Sequence, residues 1–99
     1  MNKSGTQILA RELRPEDISL IIEVSDTTLD YDLRTKAGVY CRAGVPQYLV
    51  IDVNARLVYV HTLTGRGVYT RETRVPGEAI ELLAAPHFAL TVDNLLLPA

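Results

Sequence analysis

Short apolar runs alternate with polar breaks along this chain, and one segment carries a clear helical period. Ile18 to Val24 reads Ile-Ser-Leu-Ile-Ile-Glu-Val, nearly continuous and rich in β-branched residues. Such a run predicts a strand buried on both faces. After a polar break from Ser25 to Thr28, a stripe of Leu29, Leu33, Lys36 and Tyr40, flanked by Ala37 and Cys41, follows the spacing of one helix face. It predicts a helix from about Asp30 or Tyr31 to Ala43. Asp30 is its expected N-cap, and Asp32 stands near the positive end of the helix dipole. Gly44 suits a left-handed cap, and Pro46 stops continuation.

The pattern then changes period. Tyr48 to Asp52 predicts a second short apolar strand. Leu57 to Thr62 and Val68 to Arg74 alternate more cleanly, with Leu57, Tyr59 and His61 on one face and Val58 and Val60 on the other. Turn residues at Val53 to Arg56, Thr64 to Gly67 and Pro76-Gly77 separate these strands, so the tail predicts an antiparallel meander. Ala79 to Leu83 and Phe88 to Leu90 are further strand candidates, and Val92 to Leu97 reads as a short closing helix. Before Pro15, Thr6 to Leu13 predicts a short helix. The fold class is α/β: a mixed sheet, one helix packed on it, and a C-terminal meander, in a single domain over residues 1–99.

Composition adds limits rather than detail. With 99 residues, 47% hydrophobic and 22% charged, the chain is long enough for one core and too apolar to be disordered. A formal charge of -2 lacks the basic footprint of a dedicated nucleic-acid binder. Cys41 is the single cysteine, which excludes an intrachain disulfide and points to a reducing, cytoplasmic setting. No apolar run approaches the roughly 20 residues of a membrane span.

Two residues break the apolar logic of their elements. Glu23 lies within the first strand and Lys36 within the helix stripe that faces the sheet, and a buried charge is costly unless paired or bound to a metal. The helix returns over the sheet after a short loop, so the two side chains can meet near the carboxyl end of the strand, where open α/β sheets place their sites. Bland readings compete with a site. Glu23 and Lys36 suit a structural ion pair, Lys36 suits a lysine reaching past an apolar stem to water, and Asp32 four residues earlier suits an ordinary helix-surface pair. His61 reads as a half-exposed strand residue, His87 has no second ligand near it, and Cys41 reads as inert packing. Arg66, Arg71 and Arg74 on the meander read as a solvated face.

The stretch from Pro15 to Ser25, the Tyr31-Asp32 pair with Lys36, the run Tyr40-Cys41-Arg42-Ala43-Gly44-Val45-Pro46-Gln47-Tyr48 and the Val50-Ile51-Asp52 strand resemble the Uma-type restriction endonuclease family. That family is abundant in cyanobacteria and belongs to the PD-(D/E)xK nuclease superfamily; the resemblance spans roughly Pro15 to Leu97. It implies a restriction-endonuclease-like fold and hydrolysis of DNA phosphodiesters with Mg²⁺ or Mn²⁺. Glu23 matches the metal-binding acid and Lys36 the catalytic lysine, carried on the helix rather than at Ser25. Asp32 matches an aspartate that orients Lys36 or the waters of the metal. An Mg²⁺ ion on oxygen ligands activates water, while a lysine supplies fixed positive charge to the phosphate.

The departures are specific. The family's earlier Pro-Asp strand has no counterpart before Glu23, so the first core elements are expected to be missing. Asp17, six residues before Glu23, is expected on the same strand and about 20 Å away, too far to share a metal. Gln47 stands where the family has Glu and is expected to remove a charge near the site; Leu49 stands where it has Trp. An unpaired sheet edge is expected to favour a homodimer. The sequence thus supports a metal-dependent endonuclease or an inactive nuclease-like interaction module.

Overall fold

Strand residues packed on two sides build the centre of this molecule. A computed structural model describes residues 17–88 and 90–96. Six strands and two helices follow in order. Strand β1 (Leu20–Ser25) leads into helix α1 (residues 29–42), then β2 (Gln47–Asp52), β3 (Leu57–Leu63) and β4 (Tyr69–Arg74). Two short strands, β5 (Ala79–Ile80) and β6 (Leu90–Thr91), precede a single closing turn of helix, α2 (Val92–Leu95). Strands β1 to β4 form one sheet in sequence order, β1 parallel to β2 and the rest antiparallel. The parallel pair requires a crossover, and α1 is that crossover.

Alternation along β2 separates two apolar layers. Tyr48 and Val50 pack with Ala37, Leu29, Leu33 and Tyr40 under α1. Leu49 and Ile51 pack on the opposite face with Val58, Val60, Ile80, Leu90, Val92 and Leu96. Strand β2 is buried at every position. Its neighbour β1 is not: Val24 is 65% exposed and Ile22 is exposed as well. The expected strand buried on both faces is therefore corrected, because β1 is the outermost strand of the sheet among the described residues. Asp17 precedes the strand in a turn instead of lying on it.

The helix begins one residue earlier than its sequence pattern predicts, because Leu29 belongs to the apolar layer beneath it. Thr28, not Asp30, is the N-cap residue. The end agrees with expectation. Gly44 takes φ +80°, its N–H donates to the Cys41 carbonyl, and the Val45 N–H donates to the Tyr40 carbonyl. This pair of bonds is the Schellman arrangement that satisfies the last carbonyls of a helix. The interior departs from expectation: Asp32–Lys36 is a π-turn between the α-helical segments Leu29–Tyr31 and Ala37–Arg42.

The meander stops at β4. Strands β5 and β6 pair only with each other, and the predicted Ala79–Leu83 strand shortens to two residues. Thr91 caps α2 reciprocally with Asn94. The predicted helix over Thr6–Leu13 lies outside the described residues. No helix among the described residues is long and apolar enough to cross a membrane.

Gln47 corrects another expectation. It lies on the face away from α1, buried, with its amide nitrogen donating to the Glu81 carbonyl at 2.8 Å and its amide oxygen accepting from the Leu83 N–H at 3.0 Å. It holds the 81–83 segment against the sheet and is not next to Glu23. A carboxylate there has no hydrogen to give Glu81. Replacing Gln47 with Leu removes two part-buried hydrogen bonds to the 81–83 backbone and leaves those groups to water, and is expected to cost about 0.5–1.5 kcal/mol in urea unfolding; no measurable loss would contradict this role.

Candidate functional site

Glu23 projects from β1 toward α1, on the side of the sheet that Ile21 helps to cover. Three residues of the helix come toward it. The Lys36 ammonium donates to Glu23 Oε1 at 3.1 Å, and the Tyr40 hydroxyl donates to Glu23 Oε2 at 3.1 Å. Lys36 Nζ also lies 3.7 Å from Asp32 Oδ1. Asp32 is buried, and the Thr28 hydroxyl donates to its other carboxylate oxygen at 3.0 Å. Glu23, Asp32 and Lys36, the three residues expected from sequence, thus form one connected cluster.

The π-turn shapes this cluster. Hydrogen bonds that reach five residues along the chain widen the turn, and residues four apart remain on one side of the helix. Asp32, Lys36 and Tyr40 form such a set. The Asp32 carbonyl accepts both the Ala37 N–H and the Tyr48 hydroxyl, the latter at 3.2 Å. A buried tyrosine on the central strand therefore fixes the point where the helix widens.

The electrostatics define what each group can do. The hydrogen bond that Lys36 donates to Glu23, opposed by burial and reinforced by the charges of Glu23 and Asp32, raises the Lys36 pKa above the ordinary lysine value. Lys36 is consequently a cation at neutral pH and acts as a fixed charge, not as a base. Burial first, then the Glu23 charge, raises Tyr40 above the usual phenol value. Tyr40 therefore remains a hydrogen-bond donor to Glu23.

Tyr40 is the site residue to which the sequence pattern gives a place on the helix stripe but no role. Its signal was its spacing, four residues after Lys36 on the same stripe. Other acids contribute elsewhere. Asp52 is buried and its Oδ1 accepts the N–H groups of Asn54 and Ala55, forming the turn into β3. Asp30 pairs with Arg34 on the exposed side of the helix. Ser25 is fully buried and its hydroxyl has no partner among the described residues.

Among the described residues no group of three or more His, Cys, Asp or Glu side chains is placed to hold a metal. The carboxylates of the cluster are Glu23 and Asp32, and hard divalent cations bind through one or two carboxylates with water and substrate oxygens completing the shell. Both carboxylates already share one cation, the Lys36 ammonium.

A four-stranded mixed sheet crossed by one helix, with the acid on a strand and the lysine on the helix, is a restriction-endonuclease-like arrangement. The chain matches the family described as "Uma2: Putative restriction endonuclease" over residues 2–93 and belongs to that family. No curated protein matches it. Restriction-endonuclease-like families usually use divalent metals.

The raised Lys36 pKa has a testable consequence. A base whose pKa is higher in the folded state contributes its full stability below the unfolded value of 10.5 and loses it as pH rises through the folded value. A double-mutant cycle of Glu23→Gln and Lys36→Met is expected to give a coupling of about 0.2–1 kcal/mol at pH 8, as for other partly exposed ion pairs. The coupling should shrink toward zero as pH rises above 10.5. A coupling that stays constant to the alkaline limit of folding would contradict the pairing.

Proposed function

We propose that this chain carries the acid–lysine part of a divalent-metal-dependent DNA endonuclease site, working in the cytoplasm, where Cys41 remains a thiol. The observation that supports the reading best is the Lys36 ammonium held 3.1 Å from Glu23 and 3.7 Å from Asp32. Glu23, with Asp32 beside it, is the carboxylate to hold Mg²⁺ or Mn²⁺. When bound, such a metal supplies an activated water and neutralises charge on the scissile phosphate.

The chain's own groups account for the rest of the site. Lys36 presents a permanent positive charge where a phosphate oxyanion develops, and such preorganised charge needs no rearrangement as the reaction proceeds. Tyr40 holds the Glu23 carboxylate in one orientation. Asp32 fixes Lys36, and Thr28 fixes Asp32. Every charged group at the site is thus oriented by a hydrogen bond or ion pair from α1 or from the loop before it.

A second reading has its own support. The formal charge of -2 and the exposed Ile22 and Val24 on outer strand β1 suit an inactive nuclease-like module that pairs with a second copy through the sheet edge. The two readings separate by experiment. With Mg²⁺ or Mn²⁺, plasmid cleavage is expected, and Glu23→Ala or Lys36→Ala should each reduce it by about 100-fold or more; cleavage that persists in both variants would overturn the assigned site. Light scattering across micromolar concentrations should give twice the chain mass if the edge pairs, whereas a monomer throughout would exclude the homodimer.

A further inference from the structure

Helix α1 has a second flank, turned away from Glu23. Between that flank and strands β3 and β4 lies a cleft of about 420 Å³, lined by Leu33, Ala37 and Gly38 of the helix, His61 and Tyr69 of the sheet, and Arg34 and Arg71. The cleft is wide open to solvent, and its volume is of small-molecule size. The small side chains at Ala37 and Gly38 leave the space open.

The polar groups here divide into those already engaged and those left over. The Tyr69 hydroxyl donates to the Val45 carbonyl at 2.8 Å, and the Cys41 thiol, also lining the cleft, donates to the Gly67 carbonyl at 3.3 Å. His61 is different. It is only 3% exposed, not half-exposed as its strand position suggested, because its ring is held between Tyr48 and Tyr69 beneath the helix. Its Nδ1 is 2.9 Å from the Tyr48 carbonyl, so Nδ1 carries the hydrogen and Nε2 is left a bare acceptor. Nε2 has no partner among the described residues. A buried polar atom without a partner calls for an explanation.

Arg71 sharpens the point. It is the direct cross-strand neighbour of His61 and stacks its guanidinium 5.6 Å from the centre of the Tyr59 ring. Among the described residues no carboxylate forms an ion pair with it. Burial holds His61 below the ordinary histidine pKa against the pull of the Tyr48 carbonyl, and the charge of Arg71 adds to the lowering. Neutral His61 and cationic Arg71 thus set an uncharged, buried ring and a positive charge side by side at the cleft. Arg34 adds a second cation to the lining, with its Nε on Asp30.

We propose that this cleft binds a small organic anion: a flat, largely apolar body seated against Leu33, Ala37 and Tyr69 over the His61 ring, with an anionic head on Arg71 and Arg34. The proposal is independent of the chemistry assigned to Glu23. Duplex DNA is the less suitable occupant, since the space is of small-molecule size and its walls are largely apolar.

The test is a ¹H–¹⁵N NMR titration of the full chain with adenosine 5′-monophosphate, indole-3-acetate, adenosine, inorganic phosphate and a short DNA duplex. At least one of the first two should bind with a Kd of about 1 mM or tighter, moving the amides of Gly38 and Arg71 and the Nε2 resonance of His61. The monophosphate binding better identifies a phosphate head, and indole-3-acetate binding better identifies a carboxylate head. Adenosine and inorganic phosphate should each be at least about tenfold weaker, since each lacks half of the recognised chemistry. Arg71→Gln, and separately Arg34→Gln on the exposed helix surface, should weaken binding, while Glu23→Gln should leave it unchanged. No shift at His61 with either organic anion up to about 10 mM would overturn the proposal. So would shifts clustered away from the cleft, or perturbation of the cleft by the duplex alone.

Discussion

The ammonium of Lys36, shared by Glu23 and Asp32, is the interaction on which the candidate site depends. It joins a strand to the helix that follows it and draws two carboxylates toward one point. Two negative charges against one positive leave a net negative charge at the cluster. That surplus favours an added cation, and it would repel a phosphate until such a cation arrived. Neither acid is free to turn away: Tyr40 holds one oxygen of Glu23, and Thr28 holds one oxygen of Asp32. The cost of bringing charges near an apolar layer is thus offset by hydrogen bonds to each of them.

Helix α1 serves both its flanks through one distortion. Its π-turn, joined to the Tyr48 hydroxyl, aligns Asp32, Lys36 and Tyr40 toward β1. Leu33 and Ala37, in the same stretch of helix, face the cleft over β3 and β4. Beneath the helix a row of rings runs from Tyr40 through Tyr48 and His61 to Tyr69, with successive centres 4.9, 5.1 and 5.5 Å apart. This row spaces the helix from the sheet and gives each flank a rigid floor.

Much of this was legible from residue pattern. The helical stripe and the apolar β2 run located the strand–helix–strand unit, and the misfit of Glu23 and Lys36 with their apolar elements marked the cluster. The limits have physical causes. A continuous apolar run does not reveal whether a strand is central or outermost, so β1 was read as buried on both faces. The π-turn depends on a tertiary bond from Tyr48, which local periodicity does not contain. Gln47 was read as lying near the site because its alternation on β2 was not followed to the opposite face. His61 looked half-exposed because alternation names a face but not what covers it. Tyr40 fits the stripe through its ring, while its hydroxyl has a use only once Glu23 is opposite.

Glu23, Asp32 and Lys36 are proposed to form one cation-binding site. Paramagnetic broadening by Mn²⁺ in ¹H–¹⁵N spectra tests it most directly and does not require catalysis. Substoichiometric Mn²⁺ should broaden the amides around Glu23, Asp32 and Lys36 first, and Glu23→Gln should abolish that broadening. Broadening centred elsewhere, or unchanged by Glu23→Gln, would contradict the assignment.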